Sequence, residues 1–268
     1  MKKRIYFGIV ATLCLIAITI TAIQATDDPS YNWYCPRAKN HKQPIADGNM
    51  QFIEQLDGYY IDHNYNDLSE EKVVYLTFDA GYENGNIEKI LDVLSEERVT
   101  GAFFILGNLI NRNPDLVIRM AQDGHIVGNH TNHHPDMTKK ETFEDFKREL
   151  VSLEELYFQT TGQTISKYFR PPEGRFNRSS LQYAKELGYR TVFWSFAYAD
   201  WDNLKQPSKE DAMKKIMDNV HNGAVILLHP TSATNAAILQ DMIRGLKAQG
   251  YRFGTLDELT MPRAKEPV

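Results

Sequence analysis

Seven times along the chain a short apolar run opens a new unit, and between these runs lie stretches whose apolar residues recur every three or four positions. Residues 73–80 (VVYLTFDA) are apolar at both alternating sets, as in a strand buried on two faces. In residues 84–97, Ile87, Ile90, Leu91 and Leu94 take helical spacing. The same reading predicts strands at 101–106, 125–129, 167–171, 191–196 and 224–229, and helices at 115–122, 142–160, 179–187, 208–220 and 235–249. Residues 251–259 close the series. Pro171-Pro172 ends the fourth strand, and Asn177 or Ser179 caps the helix behind it. Strands alternating with helices through short links predict an α/β fold with a parallel sheet and crossover helices. Seven near-equal units without a Gly-x-Gly-x-x-Gly loop predict a closed or nearly closed (β/α) barrel rather than a dinucleotide fold. Residues 26–70 are polar and irregular with a few aromatics, an N-terminal extension expected to pack on a barrel domain of residues 71–262. Residues 263–268 are a tail.

The start of the chain changes the compartment. Lys2, Lys3 and Arg4 precede residues 5–23, which carry no charge, and Ala25, Asp27 and Asp28 follow. Basic, then apolar, then small and acidic is the pattern of an export segment. Residues 1–25 read as a signal peptide cleaved after Ala25, or as a membrane anchor, since the apolar run approaches the roughly 20 residues that span a bilayer. Either places the body outside the membrane, and membrane contact is expected only through residues 5–23 if they are uncleaved. Of the two cysteines, Cys14 lies in this segment, so Cys35 has no partner within the body and the fold must rest on its core. The formal charge is −5, and the first 25 residues hold three of the 30 basic residues and no acid. The remaining 27 basic and 35 acidic residues make a body too acidic for nucleic acid to be its main partner.

In a parallel barrel the active site lies at the carboxyl ends of the strands. Five expected strands deliver a polar group there: Asp79, His130, Arg170, Asp200 and His229. Any one alone reads as a turn, a cap or a surface ion pair; together they read as a site. His130 and His134 form H-x-x-x-H in a loop after the third strand, a pair able to hold Zn²⁺ or another divalent ion through imidazole nitrogens. His133 is expected to face solvent. Asp79 and His229 would serve as base and acid, Arg170 would hold Asp79 by a paired hydrogen bond, and Asp200 would orient His229. No Ser or Cys stands where a nucleophile elbow would place it. Tyr82, Trp194, Tyr198 and Trp201 lie near the site as aromatics that could stack on a sugar; Tyr82 and Trp201 are the candidates, whereas Trp194, mid-strand, reads as core.

The ordered segments TFDAG (77–81), HTNHH (130–134), RPPEG (170–174), DW (200–201) and LLH (227–229) resemble the five motifs of the polysaccharide deacetylases with the NodB homology domain, carbohydrate esterase family 4. The resemblance runs from about residue 70 to the end. It implies a distorted barrel, a divalent metal and hydrolysis of an N-acetyl group from an amino sugar. By motif, Asp79 is the catalytic base, His130 and His134 are metal ligands, Arg170 tethers the base, Asp200 tunes the acid and His229 is the acid. The amide after Pro172 would help to bind the oxyanion. Two positions depart from the pattern. Ala80 stands where the family has a second Asp, its third metal ligand, so a bound ion is expected to be weakly held. Glu173 stands where the family usually has an aromatic residue, so its sugar contacts differ.

FDAGYEN (78–84), and less strongly residues 32–44, are similar to the delta-lactam-biosynthetic de-N-acetylases of spore formers. That branch removes the acetyl group of muramic acid in peptidoglycan once the stem peptide has been stripped, and the freed amine then closes to a δ-lactam. The expected partner is therefore a peptidoglycan glycan strand at the cell wall or spore cortex. The competing expectations are deacetylation of N-acetylglucosamine or chitin oligomers, and a catalytically inactive glycan-binding protein, which Ala80 motivates.

Overall fold

The computed structural model describes residues 28–261 apart from 36 and 67. The expected signal or anchor (1–25) and tail (263–268) lie outside the described residues. No helix among those described is long and apolar enough to cross a membrane. In chain order the elements are β1 (Tyr31–Asn32), β2 (Gly58–Tyr59), β3 (Lys72–Ala80), α1 (Ile87–Glu97), β4 (Ala102–Ile105), α2 (Gly107–Arg112), α3 (Pro114–Gln122), β5 (Ile126–Asn129), α4 (Phe143–Thr161), β6 (Tyr168–Phe169), β7 (Arg175–Phe176), α5 (Arg178–Glu186), β8 (Arg190–Val192), α6 (Lys209–Asn219), β9 (Ala224–Leu228), α7 (Ala233–Ala248), β10 (Tyr251–Gly254) and α8 (Leu256–Leu259).

Eight strands form one all-parallel sheet in the order β10-β3-β4-β5-β6-β8-β2, with β9 on β3. The long strand β3 pairs through Val74–Phe78 with β9, through its first half with β10 and through Thr77–Ala80 with β4. Beyond β8 the chain reaches β9 by a parallel bridge, Phe196 to Ile226, so the sheet curls into a nearly closed barrel. Seven of the eight strands belong to the expected units. The eighth, β2, comes from the N-terminal segment, where no strand was expected.

Side-chain alternation along β3 divides the core. Val74, Leu76, Phe78 and Ala80 join the apolar faces of α1, α3, α6 and α7 outside the barrel, whereas Val73 and Tyr75 join Phe104, Tyr168, Val192 and Leu227 inside it. Thr77 and Asp79 share the inward set. The N-terminal segment helps to fill the interior, for its Trp33, Phe52, Ile53, Tyr60 and Ile61 belong to the same inner cluster. Trp33 donates to the Trp194 carbonyl at 2.8 Å, and the Asp28 carboxylate accepts the first amides of α5 from Arg178 and Ser179.

Three expectations are corrected. The strand at 167–171 is only Tyr168–Phe169, because Pro171-Pro172 cannot extend a ladder. The strand at 191–196 is regular only to Val192, and Phe193 donates to the Tyr59 carbonyl of the inserted β2. Residues 251–259 are not one strand: Thr255 accepts the Glu258 amide and starts α8. The helix α2 was not expected, as six residues show too little periodicity.

Candidate active site

The strand ends converge on the barrel mouth. Arg170, just beyond β6, is fully buried. Its Nη1 donates to Asp79 Oδ1 at 2.8 Å, its Nη2 to Thr77 Oγ1 and the Phe193 carbonyl, and its Nε to the Val192 carbonyl at 2.9 Å. The guanidinium lies 4.1 Å over the Phe104 ring. Burial alone would raise the Asp79 carboxyl, but the Arg170 charge, with the nearby imidazoles, outweighs it and holds Asp79 below the usual carboxylate range. Asp79 is therefore an anion at neutral pH.

His130 follows β5 and is buried. Its Nδ1 lies 2.7 Å from the Arg170 carbonyl, which fixes that nitrogen as the N–H donor and leaves Nε2, 3.7 Å from Asp79 Oδ2, with its lone pair. Burial pushes its pKa down to about 4 against the pull of Asp79, so the ring is neutral near pH 7. The His134 ring is 5.0 Å away, tilted at 72°. Thr131 (φ 72°), His134 (φ 60°) and Glu173 (φ 57°) hold left-handed backbone conformations that non-glycine residues rarely adopt, all on loops at this mouth. His133 is exposed and turned to Glu149, 3.2 Å away.

Across the mouth, His229 follows β9. Its Nδ1 is 2.7 Å from Oδ1 of the buried Asp200, and its backbone N–H donates to Asp200 Oδ2 at 2.8 Å. Burial would lower the imidazole, but the hydrogen bond and charge of Asp200, with Asp79 beyond, raise it above its ordinary value. The exposed Trp201 ring lies 6.3 Å from the His229 ring, and Asn203 donates to the Tyr82 hydroxyl at 3.3 Å. Glu173 is exposed and pairs with Arg175, which also holds Asp136. A groove of about 590 Å³, lined in part by Asn108, Asn111, Asn132, His133 and Gln159, adjoins the histidine loop.

The donors present match two imidazoles of a metal site and not a three-ligand set. Ala80 turns its methyl into the outer core, Glu83 accepts the Gly85 and Ile87 amides at the start of α1, and Asn84 donates to the Thr231 carbonyl. Among the described residues no group of three or more His, Cys, Asp or Glu side chains is arranged to hold an ion. Sequence reasoning missed Thr77, Asn235 and Gln206. Asn235 donates to Asp200 Oδ2 at 2.6 Å, and Gln206 donates to the Asp200 and Asp202 carbonyls. Thr77 was readable from its inward parity with Asp79; the other two carry no sequence signal.

The family model for polysaccharide deacetylases matches residues 67–192. The chain is 42% identical over 253 residues to the peptidoglycan-N-acetylmuramic acid deacetylase PdaA of Bacillus subtilis (strain 168), covering 92% of this chain and 94% of that protein. The structure of Bacillus subtilis PdaA, a family 4 carbohydrate esterase, aligns with a TM-score of 0.81 over 86% of this chain and 96% of that one. A family 4 carbohydrate esterase from Bacillus anthracis aligns at 37% identity with a TM-score of 0.70, over 86% of this chain and 96% of its own. The peptidoglycan-N-acetylglucosamine deacetylase PgdA of Listeria monocytogenes is 36% identical over 70% of this chain and 39% of its own. Identity that runs nearly end to end through the same barrel leaves one assignment: this chain belongs to the polysaccharide deacetylase family, the family 4 carbohydrate esterases.

Proposed function

We propose that the chain hydrolyses the N-acetyl group of N-acetylmuramic acid in peptidoglycan after removal of the stem peptide, a step leading to muramic δ-lactam. The observation that carries this reading is the end-to-end identity to a muramic acid deacetylase. It is supported by two intact ion pairs facing one another, Asp79–Arg170 and His229–Asp200. In this mechanism Asp79, anionic and tethered by Arg170, takes a proton from the attacking water. The new C–O bond forms at the acetyl carbonyl carbon, and the oxyanion is met by the backbone amide of Glu173. His229, its pKa raised by Asp200, protonates the amine nitrogen as the C–N bond breaks, and acetate leaves. Tyr82, Trp201 and Glu173 are the proposed sugar contacts, and the amide-rich groove beside Asn132 suits the hydroxyls of a glycan strand. His130 and His134 are the proposed donors for an added divalent ion such as Zn²⁺. With Ala80 in place of a carboxylate that ion would be weakly held, and no step above runs through it. The catalytic unit is proposed as residues 71–262, with 26–70 as its packed extension and the site of action outside the membrane, at the cell wall or spore cortex.

The test is acetate release by residues 26–268 from peptidoglycan with and without prior amidase treatment, in the presence and absence of divalent metal. Release only after amidase treatment supports the proposal. Release from intact glycan moves the assignment to N-acetylglucosamine, the substrate named for the Listeria relative. A second reading, glycan binding without turnover, is favoured by Ala80 alone. Retention on glycan with no acetate released under any metal would establish it.

A further inference from the structure

Asp200 is buried at the centre of a chain of hydrogen bonds that extends past His229. Its Oδ1 takes the imidazole Nδ1, and its Oδ2 accepts both the His229 backbone N–H and the side-chain amide of Asn235, the latter at 2.6 Å. Asn235 is only 1% exposed and lies in the first turn of α7, where its own N–H donates to Ser232 Oγ at 3.0 Å. The same Nδ2 also reaches the His229 carbonyl at 3.1 Å, and Asn235 Oδ1 accepts the buried Tyr198 hydroxyl. Two acceptors on one side and a hydroxyl on the other fix which way the amide points, since a flipped amide would set its oxygen against a carboxylate. Tyr198 donates to Asn235 and Asn235 to Asp200, so these two bonds run toward the carboxylate from one side while His229 Nδ1–H donates to it from the other.

We infer that Asn235, backed by Tyr198, is a positioning residue for the His229 acid: it draws charge from Asp200 Oδ2 and holds the carboxylate so that Nδ1 stays bound and Nε2 is the nitrogen that gives up a proton. A carboxylate relieved of part of its charge holds the imidazolium less tightly, which makes His229 a stronger acid than an undamped Asp200 would allow. The other charges acting on His229 are Asp79 from β3 and Arg170 from beyond β6; both are bound to each other, and neither touches Asn235. This role rests on the deacetylase reading only for its effect on turnover.

The experiment is a pH titration of the His229 imidazole by NMR in histidine-labelled protein of residues 26–268, alongside kcat and KM for acetate release against pH. Asn235→Ala is expected to raise the His229 pKa by about one unit, to move the alkaline limb of kcat upward with it, and to lower kcat about tenfold with KM within twofold. Tyr198→Phe removes one oxygen and little volume, and serves if Asn235→Ala does not fold; its shift is expected in the same direction and smaller. An unchanged His229 titration in the variant that folds overturns the proposal and leaves Asn235 as a tie between β9 and α7. A shifted titration in a protein that releases no acetate sinks the deacetylase reading while the positioning role stands.

Discussion

Two carboxylates face each other across the barrel mouth, Asp200 buried and Asp79 nearly so, and in the proposed mechanism their partners give them opposite uses. Asp79 is held by a guanidinium that stays charged at every working pH, in a place where burial would otherwise favour the neutral acid. The arrangement yields a permanent acceptor. Asp200 is held by an imidazole whose own charge varies near neutrality. There the carboxylate sets how long its partner keeps a proton, and the arrangement yields a donor. In the proposed mechanism the cation beside each carboxylate, more than the carboxylate itself, decides whether the pair accepts or gives a proton.

Breaking the acceptor should cost most. Asp79→Asn keeps volume and loses the base; acetate release is expected to fall about a thousandfold or more, with the circular dichroism spectrum unchanged. A folded, active variant would mean that another group is the base. Arg170→Met removes a buried cation bonded to Asp79, Thr77 and two carbonyls. Leaving those partners unpaired is expected to cost about 3–5 kcal/mol in urea unfolding, where an exposed arginine would cost almost nothing.

The donor pair should respond to pH in a way the acceptor does not. Because the folded pKa of His229 is raised, the stability it contributes is complete below about 6.5 and is lost as pH rises through the higher folded value. The protonated acid disappears over the same window, so kcat should fall there. Asp200→Asn is expected to move that alkaline limb downward and to lower kcat about a hundredfold; a limb that stays in place would detach it from His229. The smallest effect is expected at the metal pair. Millimolar Zn²⁺ should raise the melting temperature of the wild-type protein by a few degrees at most, about 1 kcal/mol of linkage, and His134→Ala should remove that response. An equal response in both would place the ion elsewhere.

Much of this contrast was legible beforehand, and particular residues show why. Ile87, Ile90, Leu91 and Leu94 marked α1 by spacing, and all four are buried. The apolar residues of β3, Val73–Leu76 with Phe78 and Ala80, marked a strand covered on both faces, and it is the strand with the most neighbours. Two-residue strands left no such trace. The pairing of β1 with β7, Tyr31 opposite Phe176, and the insertion of Gly58–Tyr59 beside β8 join segments more than a hundred residues apart. Neither has enough residues for a period to show.

The sequence by itself determined the alternation of strand and helix, the edge of the barrel that carries the polar groups, and the loss of a carboxylate at Ala80, because these depend on local period and on residue identity. Only the tertiary structure decided that Arg170 would be dry and bonded to four groups, that Glu83 would cap α1 instead of turning toward the histidines, and that Asn235 would stand behind Asp200. Those outcomes depend on which distant side chains share a small buried volume. There each polar atom must find a partner or carry the cost of desolvation, and no one-dimensional pattern records that match.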